Sequence, residues 1–548
     1  MQKQRHFWKQ FLISALLGLF LLISPITSSS ALAQTDPGAT PAPAVTPAPG
    51  AVTPAPGAVT PSPMGTPTPG AIPPAVTPAP GSTVVPAIPV PSAAMGIVSP
   101  EDMKKLNEKI DAAQMSGDTA WMLISSALVL LMTPGLAFFY GGLVRSRNVL
   151  NTMMMSLVLM AVVGVTWTLW GYSLAFAPNG VTGDCSNLPD SLKLDVNPLI
   201  GNLQWLFLNG VSFDKPDPVC YAPTIPHQIF MVYQMMFAII TPALISGAIV
   251  ERMSFKAYFW FVILWSTFIY SPLAHWVWGK GWIGAMGALD FAGGTVVHIS
   301  SGVSAVVAAW VIGPRKSFMI RPAAPHNVPY VLLGIGLLWF GWLGFNGGSA
   351  LASGGLATVA FVATTVSSAA GGLTWLVVEW MLRGKPTAVG IASGFLAGLV
   401  GVTPAAGFVT PIGAILIGSI TAVACFFAVS LRAKLQFDDS LDTYPVHGVG
   451  GTIGAVLTGI FATKAVNSAG ADGLLVAGNL SLVITQIIGV VATYVFAAIG
   501  TFVILKILGA FMNLRVQPNT EDQGLDIHEH GEEGYGEEFA SGLSLSKE

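Results

Sequence analysis

Two aspartate–histidine pairs stand out in a chain otherwise poor in ionisable groups. Asp290 and His298 are eight residues apart, and so are Asp439 and His447. Each pair ends in a histidine on an apolar segment, in Asp290-Phe-Ala-Gly-Gly-Thr-Val-Val-His298 and in the run that opens His447-Gly-Val-Gly-Gly451. Neutral imidazole donates from one ring nitrogen and accepts at the other. A lone buried histidine is commonly a structural group bonded to neighbouring backbone. Two in equivalent places are read as pore-lining, and if their rings meet, one donates while the other accepts, which holds both neutral and fixes their tautomers. Asp290 suits an N-terminal helix cap; capping alone accounts for it, and a carboxylate near an outer mouth would also attract a cation. Asp439 and Asp442, on the opposite side by the topology below, need no role beyond solvation. The histidines have no nearby nucleophile and no third metal ligand, so neither an enzyme nor a metal or other cofactor is expected.

The elements that must carry these groups follow from composition. Of 548 residues 53% are hydrophobic and 9% charged, far below the roughly 25% charge of a soluble domain. The solvent of this chain is a lipid bilayer. Its net charge of −3 and the lack of a basic run within the core exclude a nucleic-acid partner. Apolar segments run over residues 120–143, 152–176, 226–250, 255–276, 290–313, 329–348, 351–381, 386–404, 408–431, 443–462 and 474–512, each near the length that crosses a bilayer core. The expectation is an all-α membrane protein with eleven transmembrane helices. With the first segment entering from outside, Arg145, Arg147, Arg252, Lys256, Arg315, Lys316, Arg321, Arg383, Lys385, Arg432, Lys434 and Arg515 all fall inside, and only Lys193, Lys215, Lys280 and Lys464 outside. Basic residues favour the cytoplasmic side, so the C-terminus is placed in the cytoplasm.

Residues 1–33 have a basic start, an apolar stretch and small residues ending Ala31-Leu32-Ala33. This reads as a secretory signal peptide, with an uncleaved anchor as the alternative. Residues 34–98 repeat Pro, Ala, Gly, Val and Thr with almost no charge and read as an extended extracytoplasmic tether, a spacer. A transport domain spans 117–513, and 514–548 form an acidic cytoplasmic tail. Cys185 and Cys220 share one exported loop, where a disulfide or two free thiols are both open; Cys425 sits in an apolar run.

A second regularity is internal. Besides the two Asp–His pairs, Phe139-Tyr-Gly-Gly142 closes the first segment and Phe345-Asn-Gly-Gly348 the sixth. Five spans is an odd number, so a tandem copy enters the membrane upside down. An inverted repeat of helices 1–5 and 6–10 follows, with a site between halves near the midplane.

The segments Asp290 to His298, Gly341-Trp-Leu-Gly-Phe-Asn-Gly-Gly-Ser349, Gly401-Val-Thr-Pro-Ala-Ala-Gly407 and His447 to Gly451 resemble the ammonium transporter (ammonium transporter/methylammonium permease/Rhesus) family over about residues 117–535. The resemblance implies the eleven-helix fold with its pseudo-two-fold and a homotrimer in the plasma membrane with one pore per subunit. It implies an external cation site at Phe237, Trp278 and Ser349 with Tyr233 beside it, a stacked gate of Phe237 and Phe345, and the twin histidines His298 and His447. Asp290 would be the carboxylate needed for cation recruitment, and Trp342 and Thr403 would line or border the path. Position 233 is often phenylalanine in relatives, so the tyrosine adds a hydroxyl near the cation. The expected solute is ammonium or ammonia, with methylammonium as analogue, and a regulatory protein of the PII class commonly plugs such pores from the cytoplasm.

A neutral-gas channel of the Rhesus type is the nearest competing reading, and Trp278 and Ser349 argue against it because a neutral solute gains nothing from a cation vestibule. A sensor whose tail signals to a partner is a reading of another class; no kinase, cyclase or response domain follows the tail here, and transport is expected first. The N-terminal reading has a direct check: protein sequencing of the chain isolated from membranes is expected to begin at Gln34, and an intact Met1 identifies an anchor instead.

Overall fold

The computed structural model describes residues 99–178, 197–318, 324–435 and 437–535. The signal segment, the tether and Cys185 lie outside the described residues. Within them the chain is helical, with no strand and one isolated bridge between Met253 and Arg515. That is what lipid requires, because a helix satisfies its backbone N–H and C=O groups within itself.

Nine helices among the described residues are long and apolar enough to cross a membrane: α1 Pro100–Leu143, α2 Ser146–Phe176, α3 His227–Ile249, α4 Phe255–Ala285, α5 Gly294–Ile312, α6 Val328–Ala350, α7 Gly355–Arg383, α9 Pro411–Lys434 and α11 Ser481–Phe511. Shorter helices include α8 Ala388–Val402, also apolar, and α10 Val449–Phe461. The helices α1 and α6 lie against each other along their length, α7 packs on α8 and α9, and α5 packs on α3 and α11.

Three boundaries depart from the apolar pattern, each for a local reason. α1 begins at Pro100, not near 117, because Ser99 accepts from the Asp102 N–H at 3.1 Å and Pro100, Glu101 and Asp102 suit a first turn. Its 44 residues extend about 66 Å at 1.5 Å per residue, far beyond a ~30 Å hydrocarbon core, and the polar first turns are exposed. α5 begins at Gly294, since residues 290–293 form its cap. The last apolar run breaks into Leu474–Ala477 and α11, at Gly478 with φ +68°.

At one end of the bundle, loops are tied together by buried charge. Glu251, after α3, accepts from Arg145 Nε and Arg315 Nη1, each at 2.8 Å, and from Asn148 Nδ2 at 3.0 Å. Arg315 also donates to Asp438 at 2.8 Å, and buried Arg252 donates to the carbonyls of Ala248, Gly313 and Asp438. The acidic tail is not merely solvated. Asp526 accepts from the N–H groups of Leu150 and Asn151 at the start of α2, and Glu529 from that of Phe255 at the start of α4. A carboxylate at a helix N-terminus gains from the unpaired donors there and from the helix dipole. Tyr535, the last described residue, meets His326 at 2.7 Å.

Glycine sets how closely α5 and α10 approach. A Cβ on Gly302 would stand 2.3 Å from the Gly448 nitrogen, and one on Gly451 2.8 Å from the Gly294 carbonyl. Backbone cannot give way there. Gly302→Ala is therefore expected to lower the unfolding temperature of the detergent-solubilised protein. Gly336→Ala, which meets nothing within 4 Å, is expected to leave it level or raise it; equal behaviour of the two sinks the close-approach account.

Burial would push the Glu251 carboxyl up, but Arg315 and Arg145 override it and hold it down at about 2, below its ordinary 4.5. A depressed carboxylate stabilises the fold above its unfolded pKa and loses that stabilisation as pH falls toward the folded one. Glu251→Gln, which leaves two part-buried arginines short of charge, is expected to cost on the order of 3 kcal/mol at neutral pH. The gap between variant and parent unfolding temperatures should narrow as pH drops from 4.5 toward 2, the window set by that shift. A pH-independent gap counts against the charge network.

Candidate functional site

Both aspartate–histidine pairs take the same local form. The Asp290 carboxylate accepts from the N–H groups of Gly293 at 2.8 Å, Gly294 at 2.6 Å, Thr295 at 2.8 Å and Val296 at 3.2 Å, and from the Thr295 hydroxyl. It caps a π-helical turn, Gly294–Ile299, whose fifth residue is His298. Gly293 takes φ +118°, which lets the chain reverse into that turn. Asp439, fully buried rather than solvated, accepts from the N–H groups of Thr443 at 3.1 Å and Tyr444 at 2.7 Å and so caps a second π turn, Tyr444–Gly448, which holds His447. Asp442 pairs with Arg432 at 2.5 Å. The wide π turn is a common device at functional sites; here it opens the start of each helix at the residue that carries the imidazole.

The two turns bring the rings together. His298 and His447 are buried, their centroids are 5.4 Å apart with planes 25° from parallel, and Nδ1 faces Nδ1 at 3.3 Å. One Nδ1 must carry a hydrogen and the other a lone pair, so the rings adopt opposite tautomers. His298 Nε2 is buried with no hydrogen-bond partner among the described residues. It leaves one polar contact open to a solute.

An aromatic series leads to this pair. Trp342 lies over His298 at 5.4 Å and 19°, and Phe345 is 6.2 Å from His298. Phe237 stands 4.4 Å from Phe345, but the rings are tilted by 42°, so the expected stacked gate is a tilted contact. Trp278 meets Phe237 edge-on at 5.7 Å, and Tyr233 does so at 5.0 Å. Ser349 donates to the Phe345 carbonyl at 2.8 Å, the Tyr233 hydroxyl donates to the same carbonyl at 2.7 Å, and the two hydroxyl oxygens are 3.2 Å apart. With both hydrogens turned to that carbonyl, Ser349 and Tyr233 keep oxygen lone pairs for an N–H donor, while the faces of Phe237 and Trp278 suit a cation.

Other candidate residues are bonded away from the cavity. Thr403 receives the Trp342 Nε1–H at 3.0 Å and itself donates to the Leu399 carbonyl at 2.7 Å, so it fixes Trp342 and does not line the cavity. Asp290 spends its carboxylate oxygens on the π turn, while its backbone carbonyl receives the Trp278 Nε1–H at 2.8 Å. Cys185 is outside the described residues, which leaves its pairing with Cys220 an expectation; Cys425 is buried and free.

The cavity at the histidines is lined by His298, His447, Trp342 and Phe345 together with Met132, Leu136, Ile240, Leu244, Val297, Leu338 and Leu396. Sequence reasoning missed these seven aliphatic residues, because one Leu in an apolar helix carries no signal of which face it shows. The cavity volume is about 10 Å3, room for roughly one water-sized molecule. An apolar cavity of this size makes a bare ion costly.

Comparison with known proteins bears on all of this. The Ammonium Transporter Family profile matches residues 120–535. The chain is 52% identical to the ammonium transporter of Bacillus subtilis (strain 168) over 420 residues, covering 76% of this chain and 98% of that one. It is 48% identical to the ammonium transporter of Aquifex aeolicus (strain VF5) over 423 residues, 77% of this chain and 93% of that one. The crystal structure of Saccharomyces cerevisiae Mep2 superposes with a TM-score of 0.66 at 37% identity, covering 74% of this chain and 88% of that one. A profile spanning most of the chain, relatives near half identical and a shared helical fold meet in one conclusion: this multi-pass membrane protein belongs to the ammonium transporter family.

Proposed function

We propose that the chain transports ammonium into the cytoplasm by separating it from a proton. Phe237, Trp278, Ser349 and Tyr233 hold the cation at the outer mouth, through ring faces and hydroxyl oxygens. The ion gives a proton to water at the mouth before Phe237 and Phe345, its N–H electron pair staying on nitrogen. Ammonia then passes His298 and His447 while that proton takes a separate route assisted by Asp290 and the histidine pair. Potassium is similar in size but has no hydrogen to give up, so it meets the apolar cavity as a bare ion. The observation that carries this reading is the 3.3 Å contact of two imidazoles in an otherwise apolar cavity, where burial favours their neutral forms. The pair supplies hydrogen-bonding groups without a fixed charge.

The architecture in this reading is eleven spans, counting α8 and α10, with α1–α5 and α6–α10 as inverted copies. Two Asp-capped π turns bearing the histidines support it, as does the reciprocal packing of α5 on the turn before α10 and of α10 on the turn that opens α5. Residues 1–33 are the signal, 34–98 an external spacer, 117–513 the transport domain, and the tail faces the cytoplasm. Membership of the family leads us to infer a homotrimer in the plasma membrane and a PII-class protein as cytoplasmic regulator.

In a transport-deficient host, or reconstituted in liposomes under solid-supported electrophysiology, ammonium pulses are expected to evoke current from the parent chain. Current in His298→Ala and His447→Ala should fall to background while the proteins insert normally. Undiminished current in either variant refutes the proposed role of the pair.

A further inference from the structure

Gln486 is a polar residue in the second turn of the apolar helix α11, 3% exposed, and the route described above makes no use of it. A buried amide is retained only where its groups are paired, and here all three bonds go to backbone, two of them to the residue that precedes Asp290. Its Oε1 accepts the Leu289 N–H at 2.7 Å, and its Nε2 donates to the Leu289 carbonyl at 2.8 Å and to the Ala455 carbonyl at 3.0 Å. The side chain thus grips both backbone groups of the residue before Asp290, as a neighbouring strand would, and ties them to α10. On the other flank the Phe291 N–H donates to the Pro404 carbonyl at 3.1 Å. Asp290 is pinned from both sides.

The consequence passes to the vestibule through one bond. The Asp290 carbonyl holds the Trp278 indole N–H at 2.8 Å, and Trp278 is the ring that stands edge-on to Phe237. We propose that Gln486 is a positioning residue for the outer cation site: it fixes the Leu289–Asp290 backbone and, through the Asp290 carbonyl, the orientation of Trp278. This rests on the vestibule reading given above. A group that only stabilised the helix bundle would change how much protein accumulates; a group that aims Trp278 changes how tightly the cation is held.

Initial rates of methylammonium uptake by the full chain in a transport-deficient host separate the two, normalised to inserted protein. Gln486→Met, which keeps length and removes all three bonds, is expected to raise KM roughly fivefold, as for loss of one ordinary hydrogen bond at the site, with Vmax per molecule within about twofold of the parent. Trp278→Leu is expected to raise KM further, and Gln486→Met added to it should change KM no more, since both act through one ring. Should Gln486→Met fail to accumulate, Gln486→Glu, which keeps an acceptor for the Leu289 N–H, is read by the same KM criterion. Parental KM in the Gln486 variants beside a raised KM in Trp278→Leu overturns this inference alone, as do independent, multiplying effects in the double variant. Parental KM in Trp278→Leu overturns the vestibule and the inference with it.

Discussion

Two imidazoles can meet across an apolar passage only if the helices that carry them touch backbone to backbone. The contact of Gly302 with the Gly448 nitrogen is where that happens, since a single methyl group there would stand 2.3 Å from main chain. Both neighbouring helices begin in a π turn that is held open by an aspartate. The carboxylate replaces the hydrogen bonds that the first turn cannot make internally, and in lipid those unpaired N–H groups have no water to turn to. Small residues at the crossing and acids at the helix starts are therefore parts of one arrangement: the first sets the distance between the rings, the second their height.

The rest of the charge is confined to the ends of the bundle. Glu251, Arg315, Asp438 and Arg252 tie three interhelical loops into one network, while Asp526 and Glu529 of the tail occupy the N-termini of α2 and α4. A charge buried among loops is tolerable only with its partner present, so these contacts fix which loops may lie together. The tail thereby becomes part of the face on which the loops of α3, α5 and α9 meet, and any protein binding there meets tail and loops at once.

How much of this could be read in the sequence depended on how rare each signal is. An ionisable residue within an apolar run is uncommon, so the histidines and their aspartates declared themselves by spacing alone, and the apolar runs located the helices, most of their ends to within a few residues. Aromatic residues on such helices are common, and Phe237, Trp278 and Phe345 gained their roles only from the family motif. The start of α1 at Pro100 escaped because hydropathy says nothing about an exposed, charged turn, although Ser99-Pro-Glu-Asp102 is a capping pattern. The π turns were not readable, since one extra residue per turn leaves no trace in so short a stretch. Gln486 is visible as a polar residue in a long apolar run, but a single uncharged amide carries no sign of which backbone groups it binds.

The geometry also divides the labour within the proposed route. A carboxylate whose two oxygens already accept from four backbone N–H groups and a hydroxyl has its lone pairs committed to the protein. Asp290 then serves the cation through its field, through its carbonyl bond to Trp278, and by setting the turn that aims His298. Groups with hydrogen-bonding capacity to spare include the Ser349 and Tyr233 oxygens and the Nε2 of His298 in the cavity. In the proposed route the Phe237 and Phe345 rings separate them, so that an ammonium ion would find acceptors for its N–H bonds before the rings and ammonia a ring nitrogen beyond them. In this scheme selectivity is decided at the rings: what crosses must leave its charge behind, and only a cation with a proton to lose is able to do so.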